Sequence, residues 1–211
     1  MTQPLIVVGA GGFGRETLDV IDAINRREQL FDLLGVLDSG PSEFNRDRLQ
    51  ERGVAYLGRD VSTIAERGAR FVVSIGAPNV RATVTDEILA LGVELATLVH
   101  PNAVIGSVST IGAGSVICSG VQVSTNVALG RSVHLNPNAT IGHDVTLGAY
   151  VSVNPGAIIS GNVTVGSRSL IGAGAVVLQG LQVGADSTVG AAACVVRNVA
   201  ERRIVRGVPA R

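Results

Sequence analysis

A six-residue repeat fills the second half of the chain and most constrains its fold. Val, Ile or Leu stands at every sixth position from Val99 to Val195, seventeen times without a break. Four residues after each of these positions the residue is small or aliphatic, and the residue directly after it is often Gly. An α-helix repeats every 3.6 residues and a strand every 2, so neither matches. The pattern is typical of a parallel β-helix built from hexapeptide repeats, in which one triangular coil takes about 18 residues.

The repeat occupies 97–199, which corresponds to between five and six coils. Because the interior of such a prism is packed with aliphatic side chains, functional groups are expected on its outer faces or between subunits. The final segment, 200–211, loses the repeat. It is predicted to be a cap or tail on the last coil, since repeat proteins cover their open ends.

Residues 1–96 follow a different pattern, in which apolar runs alternate with helical ones. Strands are predicted at 5–8, 35–38 and 71–75, helices at about 15–25 and 80–91, a loop at 39–50, and a last short strand near 94–98. Alternating strands and helices indicate a parallel sheet. The predicted fold class is therefore mixed, with a small Rossmann-like α/β N-terminal domain followed by a parallel β-helix.

A glycine-rich segment, Gly-Ala-Gly-Gly-Phe-Gly at 9–14, joins the first strand to the first helix. It matches G-x-G-x-x-G, whose bare N–H groups at a helix N-terminus receive a diphosphate. Asp38, at the end of the next strand, can accept hydrogen bonds from a ribose or a base. An α/β segment this short lacks the two halves of a nicotinamide dehydrogenase. A diphosphate ligand without hydride chemistry is favoured, and a structural tight turn is the alternative.

His143, followed by Asp144, lies two residues past the core residue Ile141 and is predicted to face outward from the prism. Gly161 lies one coil further on, so bare backbone with an available N–H adjoins the imidazole. A thioester carbonyl could fit in this slot and have its oxyanion stabilised. Asp144 can orient the ring and make it more basic. We predict that His143 is a general base; an exposed loop histidine is the alternative.

The three histidines also raise the possibility of zinc. His134 and His143 are half a coil apart on different faces, and His100 lies two coils earlier, so no metal site is predicted. Asn136 and Asn154 share a column one coil apart. They form either an asparagine ladder that supports the turns, or Asn136 points into the cleft of His143.

Charges balance at 17 basic and 17 acidic residues. Neutrality gives no reason to expect nucleic acid or an anionic membrane surface as a partner. No run is long and apolar enough to span a bilayer, and the N-terminus lacks the layout of a signal peptide. We therefore expect no membrane insertion and a cytoplasmic location.

Together these features resemble the sialic-acid O-acetyltransferase-like (NeuD/PglD-type) family of hexapeptide-repeat sugar acetyltransferases. The resemblance covers essentially the whole chain. Its motifs are GAGGFG at 9–14, GVLD at 35–38, IGAPNVR at 75–81, NPNATIGHD at 136–144, SGNVTVG at 160–166 and GVPAR at 207–211.

The resemblance implies a left-handed β-helix, a homotrimer, and acetyl-CoA lying between neighbouring prisms. It implies that His143 is the base and that Asp144 raises its basicity. The residues assigned to nucleotide-sugar binding are Gly11, Gly12, Phe13, Asp38, Ser39, Gly76, Arg81 and Asn136. Those assigned to acetyl-CoA are Ser152, Gly161, Ala173 and Ala191.

Three positions depart from the family pattern. Phe13 replaces a frequent His, Ser39 replaces the second Asp of the usual LDD, and Ser152 stands where a CoA-contacting His is common. These changes leave the base in place and the identity of the sugar and nucleotide open.

We expect an acyltransferase that moves an acetyl group directly from acetyl-CoA to an amino or hydroxyl group of a sugar, first of all a nucleotide-linked 4-amino-sugar. One alternative is O-acetylation of a free sugar such as a sialic acid, or of another small acceptor. The others are a zinc lyase of the hexapeptide-repeat type and a non-catalytic nucleotide-sugar-binding scaffold. The sequence does not decide between N- and O-acetylation.

Overall fold

The computed structural model describes residues 2–211, and its N-terminal part is a three-stranded parallel sheet with helices. In chain order the elements are β1 (Gln3–Val8), α1 (Gly12–Arg27), β2 (Phe31–Leu37), α2 (Glu43–Glu51), α3 (Ser62–Glu66), β3 (Arg70–Val73) and α4 (Pro78–Leu89). The sheet order is β2-β1-β3, so the apolar run in β1 is central and buried. Helix α1 begins directly after Gly11 and buries Leu18, Ile21 and Ile24 along one face.

The prediction of a loop at 39–50 is wrong, because α2 occupies most of that segment. Ser42 caps this helix, since its hydroxyl oxygen accepts a hydrogen bond from the Asn45 N–H at 3.3 Å. Glu43 adds a negative charge in the first turn. Leu49 is the only residue of α2 that is buried, so no apolar periodicity marked the helix in the sequence.

The C-terminal part is a parallel β-helix of eighteen two-residue strands. The first nine are β4 (Leu98–Val99), β5 (Val104–Ile105), β6 (Thr110–Ile111), β7 (Val116–Ile117), β8 (Gln122–Val123), β9 (Ala128–Leu129), β10 (His134–Leu135), β11 (Thr140–Ile141) and β12 (Thr146–Leu147). The last nine are β13 (Ser152–Val153), β14 (Ile158–Ile159), β15 (Thr164–Val165), β16 (Leu170–Ile171), β17 (Val176–Val177), β18 (Gln182–Val183), β19 (Thr188–Val189), β20 (Cys194–Val195) and β21 (Ile204–Val205).

These strands form three sheets that make the sides of a prism of about six coils. The seven-stranded sheet is β21-β19-β16-β13-β10-β7-β4, the six-stranded sheet is β20-β17-β14-β11-β8-β5, and the five-stranded sheet is β18-β15-β12-β9-β6. Pairing is in register at 18 residues, as between Leu135 and Val153. Repeat aliphatics such as these two are fully buried. The predicted β-helix is therefore confirmed.

The tail does more than cover the last coil. Strand β21 pairs with β19 and extends the seven-stranded sheet. The chain then turns back, and the Ala210 N–H donates to the Cys194 carbonyl at 2.7 Å. Within residues 2–211 no helix has the length and apolar character needed to cross a membrane.

Candidate active site

His143 and Asp144 form the corner between the six-stranded and five-stranded sheets, just after β11. His143 Nδ1 and Asp144 Oδ2 are 2.7 Å apart. Asp144 has a left-handed backbone with φ +59°, a conformation that Asp adopts more readily than most residues. The two side chains are 61% and 51% exposed, so the pair is open to a ligand.

Hydrogen bonds fix the charge of Asp144 and the tautomer of the neutral form of His143. The bond from His143, and then the one from Asn126 Nδ2 to Asp144 Oδ1 at 3.2 Å, hold the pKa of the Asp144 carboxyl below its usual range. The carboxylate therefore stays ionised and accepts the proton on Nδ1. Neutral His143 then carries its free lone pair on Nε2, the atom a general base needs.

The imidazole of His143 covers Gly161 rather than standing beside an empty slot. A Cβ built on Gly161 would meet His143 Nε2 first, and it would lie 2.6 Å from Cε1 and 2.9 Å from Cδ2. Glycine at this position thus leaves the space that the ring occupies. The open thioester slot expected from the sequence is corrected accordingly, and a contact of Gly161 with acetyl-CoA stays a prediction.

A second concave site lies in the N-terminal domain, at the carboxyl ends of the parallel strands. Its volume is about 170 Å³. The lining residues are Val8, Gly9, Leu37, Asp38, Ser39, Arg59, Val61, Ile75, Val84 and Glu87. It opens between β1 and β3, where the chain crossovers reverse direction, and ligands of open α/β sheets bind at such points.

The glycine loop borders this cleft and leaves room for a ligand. A Cβ on Gly11 or Gly12 would meet no atom within 4 Å. Asp38 holds the loop in place, because Oδ2 accepts from the Ala10 N–H at 2.8 Å and Oδ1 from the Gly40 N–H at 2.9 Å. The predicted sugar contacts of Gly11, Gly12 and Asp38 stay predictions.

Phe13 packs inward against the β-helix. Its ring lies 4.4 Å from that of His134, centroid to centroid. His134 is buried on the seven-stranded sheet, and its Nε2–H donates to the Val73 carbonyl at 3.1 Å. Burial, and then the charge of Arg81, lower the pKa of His134 well below 6.5, so it is neutral. No sequence pattern indicated this role of His134, which joins the glycine loop and β3 to the prism.

Arg81 makes the main polar connection between the two parts. It is fully buried, and its Nε donates to the Ser132 carbonyl at 3.0 Å. Nη1 donates to the Ile75 carbonyl at 2.7 Å. Nη2 donates to the Tyr150 carbonyl at 2.7 Å and to Ser152 Oγ at 3.0 Å. Burial lowers the pKa of Arg81 to about 9, which still leaves it protonated at neutral pH.

The predicted ligand contacts of Arg81 and Ser152 do not fit this placement. Neither side chain reaches solvent. Ser152 Oγ instead donates to the Gly76 carbonyl at 3.1 Å, which also accepts from Arg81 at 3.3 Å. Ser152 directly precedes the core residue Val153 and so lies on the outside of the prism, on the face that the N-terminal domain covers.

Tyr150 was also missed, although its position carried a signal. It occupies a left-handed corner with φ +63°, where an aromatic residue is unusual. Its hydroxyl donates to Asp86 Oδ1 on α4 at 2.9 Å. The corner thus contributes a third contact between the β-helix and the N-terminal domain.

The remaining predicted residues lie on other surfaces. Asn136 Nδ2 donates to Asn154 Oδ1 at 3.0 Å, as the ladder interpretation requires. Ala173 and Ala191 are exposed one coil apart at the corner between the seven-stranded and six-stranded sheets. Ser39 and Gly76 are exposed on the N-terminal domain. The width of the six-stranded sheet separates the alanine corner from His143.

The three histidines are not brought together. His134 is under the N-terminal domain, His143 is at a corner, and the Nδ1 of His100 accepts from the Asn102 N–H at 3.0 Å. Among residues 2–211 no three His, Cys, Asp or Glu side chains form a group that could hold a metal ion.

Comparison with known proteins identifies the N-terminal part as a domain of known type. Residues 4–88 match the family model described as the PglD N-terminal domain. GDP-perosamine N-acetyltransferase of Escherichia coli O157:H7 is 34% identical over 142 residues. That alignment spans 65% of this chain and 61% of the relative, less than two thirds of the relative's length.

Solved structures match over the full chain. PerB from Caulobacter crescentus, in complex with CoA and GDP-perosamine, is 28% identical, with a TM-score of 0.86 and coverage of 100% of this chain and 97% of that one. The acetyltransferase domain of PglB from Neisseria gonorrhoeae, in complex with acetyl coenzyme A, is 28% identical, with a TM-score of 0.84 and coverage of 100% and 99%.

The chain therefore shares the fold of these solved sugar acetyltransferases, a small α/β domain on a left-handed β-helix. Within that fold, residues 4–88 form a domain that matches the PglD N-terminal type.

Proposed function

We propose that the chain transfers an acetyl group from acetyl-CoA to the amino group of a nucleotide-linked amino sugar. The observation that carries this proposal is the His143–Asp144 pair, with Nδ1 engaged at 2.7 Å and Nε2 free on an exposed corner. The relatives support the choice of co-substrates, since PerB was solved with CoA and GDP-perosamine. GDP-linked 4-amino-sugars are therefore the first acceptors to test.

In the proposed reaction the acceptor nitrogen attacks the thioester carbonyl carbon. Nε2 of His143 takes the proton from that nitrogen as the bond forms. The tetrahedral intermediate then collapses, the C–S bond breaks, and the departing thiolate receives the proton from the imidazolium. Asp144 stabilises the imidazolium, and the Gly161 N–H is the candidate donor to the oxyanion.

Transfer is proposed to be direct, without an acyl-enzyme. Burial, and then the charge of Glu16, raise the pKa of the Cys118 thiol to about 12. A thiol in that environment does not supply a thiolate at neutral pH. The other cysteine, Cys194, lies on the six-stranded sheet three coils away from the coil that carries His143.

The placement of the two sites supports an active site shared between two copies. The N-terminal domain covers the seven-stranded sheet through Arg81 and His134. His143 lies at the corner between the other two sheets, which is the far side of the prism. A sugar held at the glycine loop of one copy would therefore react at His143 of another copy, as in the proposed homotrimer.

Thiol release from acetyl-CoA tests this function. GDP-, UDP- and dTDP-linked 4-amino-sugars form one arm of the assay, and free amino sugars and sialic acid form the other. We expect release with a nucleotide-linked amino sugar and its loss in His143→Ala. Release with sialic acid alone would favour O-acetylation, and no release with any acceptor would leave only a binding scaffold.

A further inference from the structure

Arg197 shares a corner of the β-helix with His143, three coils nearer the C-terminus. The six-stranded sheet keeps an 18-residue register from Ile141 to Val195. Arg197 follows Val195 by two residues, as His143 follows Ile141. Gly161 and Gln179 occupy the two intervening positions of the column. At about 4.8 Å per coil, Arg197 lies ~14 Å from His143 along the prism axis.

The end of the prism around Arg197 is basic, although the whole chain is neutral. Residues 197–211 hold five of the 17 arginines and one of the 17 acidic residues. The Arg197 side chain is exposed and has no ion-pair partner within residues 2–211. It borders a cleft of about 330 Å³ that Arg203 and Arg211 also line. The neutral net charge of the whole chain does not reveal this local positive charge, which attracts anions.

The surface between His143 and Arg197 is apolar with one amide. Leu178 and Val196, which directly precede Gln179 and Arg197, are 42% and 44% exposed. Ile158, on the adjoining face of the six-stranded sheet, is 42% exposed. Such a strip suits a flexible arm that carries methyl groups and amides and ends in a negative charge.

We propose that Arg197 binds the diphosphate of acetyl-CoA while the thioester lies at His143. This inference rests on the proposed function. The pantetheine arm has about thirteen bonds between its sulfur and the first phosphorus, which at the reach per bond of an extended peptide spans ~15 Å. That length matches the separation of the two residues along the corner. A guanidinium pairs well with phosphate oxygens in a charge-assisted geometry.

Direct binding to the full chain tests the assignment. Calorimetry would measure acetyl-CoA, acetyl-dephospho-CoA, acetyl-4′-phosphopantetheine and acetyl-pantetheine against wild type and Arg197→Gln. We expect Kd to rise about tenfold in the variant for the first three ligands and to stay unchanged for acetyl-pantetheine. The matched control is Arg202→Gln, which removes one charge from the same coil at a different corner and should leave all four values unchanged.

Four outcomes would overturn the proposal. Loss of affinity for acetyl-CoA but not for acetyl-dephospho-CoA would assign Arg197 to the 3′-phosphate. An equal rise in Kd for acetyl-pantetheine would show that the effect does not involve phosphate. Equal losses in Arg202→Gln would show a general charge effect. If wild type binds acetyl-CoA and Arg197→Gln binds it equally well, this inference fails alone; if wild type does not bind it, the proposed function fails as well.

Discussion

The imidazole of His143 rests on Gly161, the residue at the same position one coil further along the prism. A Cβ on Gly161 would come within 2.6 Å of the ring at Cε1. The imidazole is thus held from two sides, by the bare backbone of Gly161 and by the Asp144 carboxylate at 2.7 Å. Backbone and carboxylate together fix the direction of Nε2 without burying the ring.

Removing the proposed base should slow catalysis strongly without affecting the fold. We expect His143→Ala to lower kcat by roughly 10²–10⁴ because a general base is lost. Thermal stability should be unchanged, since the side chain is 61% exposed. Asp144→Asn should lower kcat less, because it removes only the charge that stabilises the imidazolium and leaves Nε2 in place. Steady-state kinetics would check both, and activity of His143→Ala within a few-fold of wild type would refute the assignment.

Gly161→Ala should lower kcat by displacing the imidazole of His143. The added methyl group would displace the ring, and a shift of about 1 Å at a reacting group costs on the order of 10² in kcat. In a His143→Ala background the same substitution should cost nothing further, since the displaced group is gone. A double-mutant cycle in kcat measures this coupling. Additive losses would mean that Gly161 acts independently of the imidazole.

An active site shared between copies predicts complementation. Gly12→Glu should block a diphosphate at the glycine loop while leaving α1 intact, because Glu is favourable in the first turn of a helix. Each of Gly12→Glu and His143→Ala should be inactive alone. After denaturation and joint refolding at equal amounts, about a quarter of the sites in a random trimer combine an intact cleft with an intact base. No recovery of thiol release in confirmed mixed trimers would place both groups in one copy.

Arg81→Met should destabilise the connection between the two parts. The carbonyls of Ser132 and Tyr150 would lose their buried donors, which costs about 3 kcal/mol in the free energy of unfolding. Arg131→Met is the matched control. Arg131 is exposed and lies 3.7 Å from Asp86, so its loss should cost within about 0.5 kcal/mol. Urea denaturation measures the free energy of unfolding of both variants. Equal losses would show that the buried hydrogen bonds of Arg81 contribute no more to stability than the exposed Arg131 does.

His134 predicts a loss of stability in mild acid. Its folded pKa lies well below 6.5, whereas the unfolded chain takes up a proton near 6.5. The unfolded state then binds more protons as the pH falls, so the stability that neutral His134 provides is lost below that value. The expected loss between pH 6.5 and 5.5 is ~1 kcal/mol. His134→Gln should remove this part of the pH dependence of urea denaturation. An unchanged pH dependence in the variant would show that His134 does not cause the loss of stability.

Much of the fold could be predicted because the relevant interactions are local or periodic. An aliphatic residue at every sixth position from Val99 to Val195 can be buried throughout only by a three-sided coil. The His143–Asp144 pair was predictable for the same reason, since adjacent residues at a corner must lie close together. Helix α2 was missed because its stability comes from a cap at Ser42 and one buried Leu49.

The sequence by itself determined the β-helix, the glycine loop and the outward position of His143. Only the tertiary structure decided which outer face the N-terminal domain covers, and so turned Arg81 and Ser152 from predicted ligand contacts into interface residues. The same docking set the glycine loop and His143 on opposite sides of the prism. A repeat gives all three outer faces the same pattern, so their difference arises only from long-range contacts such as Arg81 to Tyr150.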